Sequence, residues 1–518
     1  MKEKYIKAKP NIEKVGNILL QVVYAVLLAY VIINISDSSQ EMYQTWKDVE
    51  ASKALAVFAI FMCLVQRVKL LNWQTIVYSV IYWPLGVWFL KTHMYGETLE
   101  MVYENRVWFY WILGLVIVDM LVYRKVNKLV DFKQSALLVY LAMAIFMLTF
   151  RHERGDPLAL VLPMFVFYMI PISKAEWAKI QNAFCNGWLI AFIIIVYRSF
   201  TLNPYDSDRW YGSFLNIGAF SMFLGCVFAV AFFRILQSKE KYGRKSIAYV
   251  ASWIWLLVTT AIMLLVNTRT MWLGVACMIT VYVVFAGKKK TAKELWTRVG
   301  HIAVVLVILL IVGLVAMKIA SEMDVEKLRD TITNRYLRAP IEYFILSASG
   351  IAQRVSEQMT PINTVWDNIY IFLNEFSSWR VAIWCKFAEF FSFTGNPSAG
   401  MDVNGYLATN AHNQYVQVVY EYGFLGGGCW FLWMIYITVK GIKDYFKSWK
   451  SEQILIVLWM FTLFGMFWGE MANFFYPEMY ATLILFYPQI VRIKEESEKG
   501  RKLCFGLNLS KKKEEQSE

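Results

Sequence analysis

The stretch IAYVASWIWLLVTTAIMLLVNTRTMWLGVACMITVYVVFAG, residues 247–287, decides how the rest of the chain is read. Two apolar runs, 247–267 and 271–287, meet at the short polar segment Asn267-Thr268-Arg269-Thr270. A helix needs about 20 apolar residues to cross a bilayer core. Each run therefore reads as a membrane span. The turn between them is too short to leave the surface, so Arg269 sits at a membrane face.

Working outward, the same pattern recurs along the chain. Candidate spans lie near 15–35, 50–65, 73–90, 107–123, 134–150, 157–172, 182–199, 215–234, 247–267, 271–287, 299–320, 422–439, 453–469 and 475–491. Hydrophobic residues make up 58% of the chain, above the roughly 45–50% of an average soluble domain. The expected fold is all-α: a polytopic membrane helical bundle of about 12–14 spans with one large, partly helical extracytoplasmic loop. The basic N-terminus runs into an apolar stretch too long for a signal-peptide core, so 15–35 reads as a retained first span. The chain divides into transmembrane helices in 1–200, further spans with arginine motifs in 201–320, the large loop 321–413, C-terminal spans in 414–491 and a charged tail, 492–518.

The net charge of +13 is a topology signal rather than a nucleic-acid signal. Lys and Arg concentrate in alternate connections: Arg124, Lys125 and Lys128; Lys239, Lys241, Arg244 and Lys245; Lys288, Lys289 and Lys290; Lys440, Lys443 and Lys447. By the positive-inside rule these loops face the cytoplasm, and so do both termini. The loop 321–413 then lies outside. It contains Trp366, Trp379 and Trp384 with many aliphatics, a composition that folds. Ile383, Trp384, Phe387 and Phe391 share one helical side, which suits either the membrane interface or packing within the loop.

The positive-inside bias leaves few cations on the outer face. Three arginines stand out among them: Arg209 in DRWYGSFLN, Arg269 in NTRTMWLG and Arg380 in SSWRVAIW. A guanidinium has fixed charge and paired donors, the fork that grips phosphate or diphosphate. Each of these arginines could equally snorkel to a headgroup. His412, one of only four histidines, closes the long loop just before a span. A neutral imidazole there could take a hydroxyl proton near neutral pH, or simply bond the loop. Asn413, Gln417 and Glu421 follow at i, i+4 and i+8 and form one polar stripe, suited to glycan contacts or to helix packing. Gly423, Gly426, Gly427 and Gly428 allow close helix contact or an irregular entry into the membrane.

Metal and nucleotide chemistry have no pattern to rest on. The histidines are dispersed, and there is no H-x-x-x-H, no C-x-x-C and no phosphate-binding glycine loop. The seven cysteines read as small apolar side chains. No metal or cofactor is expected. A donor used on the outer face must carry its own energy, as a lipid-linked diphosphate does.

Three motifs together resemble the O-antigen ligase and O-antigen polymerase family of bacterial envelope glycosyltransferases. RWYGSFLNIGAF at 209–220 is similar to the family's Arg, Gly and Asn pattern opening a span. NTRTMWLG at 267–274 is similar to its Ser-or-Thr–Arg turn. AHNQYVQVVYEYGFLGG at 411–427 is similar to its His-Asn-x-Tyr-x-Gln…Glu-x-Gly-x-x-Gly motif after a large outer loop. The resemblance covers about residues 200–440. One departure is that Asn216 is followed by Ile217 and Gly218, where the family often has Pro-Asn.

The resemblance implies metal-independent transfer of a glycan from undecaprenyl diphosphate to an acceptor hydroxyl, on a glycan or glycolipid, at the outer face of the bacterial cytoplasmic membrane. Arg209 and Arg269 would hold the diphosphate, with Arg380 as a further candidate, and His412 would activate the acceptor. A repeat-unit polymerase of the same family is the nearest alternative. A lipid-linked oligosaccharide flippase is the alternative of another class, although charges within the spans, such as Asp119, Glu421 and Glu470, are few.

Overall fold

The computed structural model describes residues 2–36, 57, 73–93, 110–111, 114–115, 117–118, 168, 172, 174–201, 210, 212–214, 217–285, 293–294, 296–300, 326, 331, 335–358, 364–396, 401–403, 405–448, 453–470 and 477–491. The expected spans 50–65, 107–123, 134–150, 157–172 and 299–320 fall wholly or mostly outside these residues, as do Arg209, Asn216 and the tail. The described parts of the other expected spans are helical, with 73–90 and 475–491 each divided between two short helices.

The described chain is mostly helical. The long helices are α1 (Lys2–Ser36), α4 (Lys174–Thr201), α5 (Ile217–Tyr242), α6 (Ile247–Val266) and α11 (Gln414–Ser448), each long and apolar enough to cross a membrane. Two shorter apolar helices accompany them, α7 (Arg269–Phe285) and α12 (Leu455–Met466). Between α1 and α4, α2 (Trp73–Ile81) and α3 (Val87–His93) are joined by a π-helical turn, Tyr82–Gly86. That turn absorbs Pro84, which lacks an N–H, and Val87 N–H donates to the Tyr82 carbonyl. The long loop carries α8 (Arg335–Gln358), α9 (Val365–Phe376), α10 (Arg380–Ala388) and an antiparallel hairpin of β1 (Met401–Val403) and β2 (Tyr406–Ala408). The chain closes with α13 (Pro477–Leu485) and α14 (Tyr487–Ile490).

Aromatic side chains fill the core. Trp188 of α4 and Trp459 of α12 are fully buried and meet edge to face at 5.1 Å; such pairs contribute about 0.5–1.5 kcal/mol beyond burial. Small residues set the closest approach. A Cβ placed on Gly465 of α12 would lie 2.7 Å from the Gly274 Cα of α7, so these two backbones touch. The short turns 243–246 and 267–268 make α5, α6 and α7 alternate in direction. The start of α5, the end of α6 and the start of α7 therefore share one end of the bundle.

α11 is broken where the polar stripe ends. Gly423 has φ 67° and ψ −178°, a conformation essentially confined to glycine. The irregular segment 392–396 crosses the break and satisfies the freed backbone. Phe424 N–H donates to Ser392 O at 3.0 Å, Leu425 N–H to Phe393 O at 3.1 Å, and Asn396 N–H to Tyr420 O at 2.8 Å. α11 thus begins eight residues before the expected span at 422, because its first turns are polar and bonded within the protein.

The segment around α10 resolves to packing. Ile383 and Phe387 are buried with Val403, Ala408, Ala411 and Tyr420, and Phe391 packs at the edge. The exposed apolar face belongs to α9 instead: Val365, Trp366, Ile369, Tyr370, Leu373 and Phe376 all face outward.

Candidate functional site

Three turns converge at one end of the bundle, and each carries left-handed backbone at a residue other than glycine. The first follows α6. Asn267 adopts φ 47°, a region that Asn tolerates, and donates its N–H to Met263 O at 2.9 Å. α7 then opens with Arg269. Its exposed guanidinium donates to the Phe376 carbonyl and lies 5.2 Å from the centre of the Phe376 ring. A cation at the C-terminus of α9 complements the helix dipole. Arg269 thereby ties the head of a bundle helix to the long loop.

The second turn joins α9 to α10. Ser378 and Trp379 have φ 57° and 68°, a conformation that costs a bulky residue roughly 1–2 kcal/mol. Asn374 holds it: its carbonyl accepts from Trp379 N–H at 2.8 Å and its Oδ1 accepts from Ala382 N–H at 3.0 Å. Arg380 leaves this turn and places Nη2 3.5 Å from Glu470 Oε1. Thr270 Oγ1 donates to the same oxygen at 3.1 Å. The approach requires Gly469, since a Cβ there would lie 2.7 Å from Arg380 Nη1 and 2.2 Å from Thr270 Cγ2.

The third turn holds His412, at φ 47°. Its backbone N–H donates to Asn410 Oδ1 at 3.0 Å. No hydrogen bond to the imidazole is formed by the described residues. The residues after it explain its placement. Asn413 is fully buried and caps α11, its Oδ1 accepting from Tyr415 N–H at 2.9 Å and Val416 N–H at 3.1 Å. Its Nδ2 donates to Trp468 O at 3.3 Å, and Gln414 N–H donates to Phe467 O at 3.0 Å. Gln417 accepts from Ala411 N–H at 2.8 Å and donates to Glu421 at 2.6 Å. Asn413, Gln417 and Glu421 therefore bond their own chain and fix the His412 turn against the end of α12.

The electrostatics join the three turns. Burial, and then the positive charge of Arg380, hold the His412 imidazole below its ordinary pKa of 6.5. Arg380 and Arg354 are also near enough to Arg269 to act on it by charge. Arg354 is paired with the buried Glu375 at 2.6 Å, and Arg380 with Glu470. Among the described residues no carboxylate pairs with Arg269.

Of the residues singled out in sequence, Arg269, Arg380 and His412 come together. Arg209 lies outside the described residues, but Trp210 beside it is fully buried against Phe200 and Phe220. Glu470 was visible only as a charge near the end of a span, and nothing local marked it as the partner of Arg380. Thr270, Gly469 and the Phe376 carbonyl carry no sequence signal of their own. No family model, curated protein or solved structure matches this chain.

Proposed function

We propose that this site transfers a glycan from a lipid-linked diphosphate to an acceptor hydroxyl. The observation that supports the reading is the convergence of Arg269, Arg380 and His412 from three turns, with an imidazole whose neutral form is favoured by burial and a neighbouring cation. The neutral imidazole takes the proton of the acceptor hydroxyl. The hydroxyl oxygen then bonds to the anomeric carbon from the face opposite the diphosphate. The bond from that carbon to the diphosphate oxygen breaks, and the leaving group departs with the electron pair. Arg269 and Arg380 balance the charge that develops there. Glu470 and Thr270 hold Arg380 in position. Arg209 joins the clamp on the strength of the motif alone.

The motif resemblance extends the proposal to an O-antigen-ligase-like enzyme of cell-surface polysaccharide synthesis, with undecaprenyl diphosphate as carrier. It acts at the outer face of the bacterial cytoplasmic membrane, with both termini in the cytoplasm. The test is reconstitution of the full-length protein in liposomes with an undecaprenyl-diphosphate-linked glycan. Arg269→Ala, Arg380→Ala and His412→Asn should insert normally and lose transfer by about 100-fold or more. Full transfer by all three variants would overturn the proposal. In a strain lacking the protein, long chains accumulating on the carrier indicate a ligase and single repeat units at the outer face a polymerase. Units retained at the inner face indicate a flippase.

A further inference from the structure

At the opposite end of the bundle, α1, α4, α5 and α6 enclose a cleft of about 440 Å³. It centres on Arg234, in the last third of α5. The Arg234 guanidinium donates to Asn182 Oδ1 at 2.5 Å, Gln237 Oε1 at 2.5 Å, the Asn182 carbonyl at 2.8 Å and Asn186 Oδ1. All four acceptors are neutral amide oxygens, and among the described residues no carboxylate pairs with it. Four of the five guanidinium N–H groups are thus fixed, and Nε–H is left over. A cation near the end of a span is costly without a partner. This one is aimed rather than neutralised.

The rest of the lining matches an anion with an apolar attachment. Lys241 adds a second positive charge at the wall, one turn before the basic connection Arg244-Lys245. Among the described residues no acidic side chain lines the cleft. Its other wall is Leu189, Ala248, Ala251 and Trp255, and α6 also carries the exposed apolar residues Ile247 and Ile254 on an adjoining side of the helix. Asn182 is braced in turn by Gln21 of α1, which accepts from its Nδ2 at 2.8 Å.

We propose that this cleft binds the phosphate of an anionic membrane lipid, with the acyl chains along α6. The uncompensated charge of Arg234, its remaining Nε–H and the Lys241 ammonium suit phosphate oxygens, and the apolar wall favours a lipid headgroup over free phosphate. The proposal does not depend on the transfer chemistry at the other end.

Native mass spectrometry of the delipidated full-length protein in detergent tests it, with phosphatidylglycerol, phosphatidylcholine and inorganic phosphate titrated separately. Phosphatidylglycerol should bind most tightly, and Arg234→Gln should weaken it about tenfold. Ala248→Trp, which fills the cleft without touching the amide cage, should weaken it comparably and keeps the test valid if Arg234→Gln fails to fold. Equal binding of the two lipids, or undiminished phosphatidylglycerol binding in Ala248→Trp, would overturn the proposal. Inorganic phosphate binding as tightly as phosphatidylglycerol would overturn the lipid assignment in favour of a soluble phosphate compound.

Discussion

Gly274 and Gly465 bring α7 and α12 into backbone contact, with the Gly465 position only 2.7 Å from the Gly274 Cα once a Cβ is added. Four to five residues along each helix, Thr270 and Glu470 form their hydrogen bond, and Glu470 receives Arg380. The glycine contact therefore sets the distance across which the candidate site is assembled. Gly465→Val should separate the helices and destabilise the protein by about 1–3 kcal/mol. Thermal unfolding of the detergent-solubilised protein checks this against Gly16→Ala, where a Cβ meets nothing within 4 Å. Equal melting temperatures for the two variants would mean that the helix contact contributes nothing to stability.

The charge of Arg380 acts on His412, so its removal should be visible as a titration. Burial and Arg380 both disfavour the imidazolium, placing the folded pKa below 6.5. Arg380→Gln deletes the positive neighbour and leaves burial, so the pKa should rise toward its ordinary value. Any activity that needs neutral His412 is lost as pH falls through that pKa, so the acid limb of the profile should move to higher pH in the variant. With four histidines in the chain, NMR of the labelled imidazoles can follow His412 directly. An unchanged pKa would mean that the two groups do not couple.

The backbone at His412 separates its fold role from its chemistry. At φ 47°, Gly and Asn are accommodated while β-branched residues are strained. His412→Gly and His412→Asn should unfold within about 0.5 kcal/mol of the wild type, whereas His412→Val should lose roughly 1–2 kcal/mol. All three should lose transfer. Stability that fell equally in all three would point to the side chain as a structural element.

Gly423 is the break in α11. A Cβ there would lie 2.3 Å from Phe393 O and 2.4 Å from Gly395 N, and the backbone conformation excludes other residues. Gly423→Ala should cost about 3 kcal/mol or more and release segment 392–396. Limited proteolysis after Phe390 should then accelerate; wild-type resistance would contradict the packing.

What the sequence determined by itself was periodicity and hydropathy. The runs at 15–35, 182–199, 215–234, 247–267 and 422–439 fall on the helices of membrane-crossing length, because helix formation and apolarity are local properties. Arg269, Arg380 and His412 were legible too, as scarce polar chemistry beside apolar runs. What only the tertiary structure decided was partnership. Asn413, Gln417 and Glu421 form a polar stripe in any helix, but their use as bonds to Ala411, Trp468 and one another depends on how the chain folds back. The side of α10 that could have met the membrane is buried by a hairpin that follows it, and α9 shows an apolar face instead. Arg380 and Glu470 stand 90 residues apart, joined through a glycine contact between two other helices. Contacts of that range are set by which surfaces the packed bundle brings together, and no local pattern encodes them.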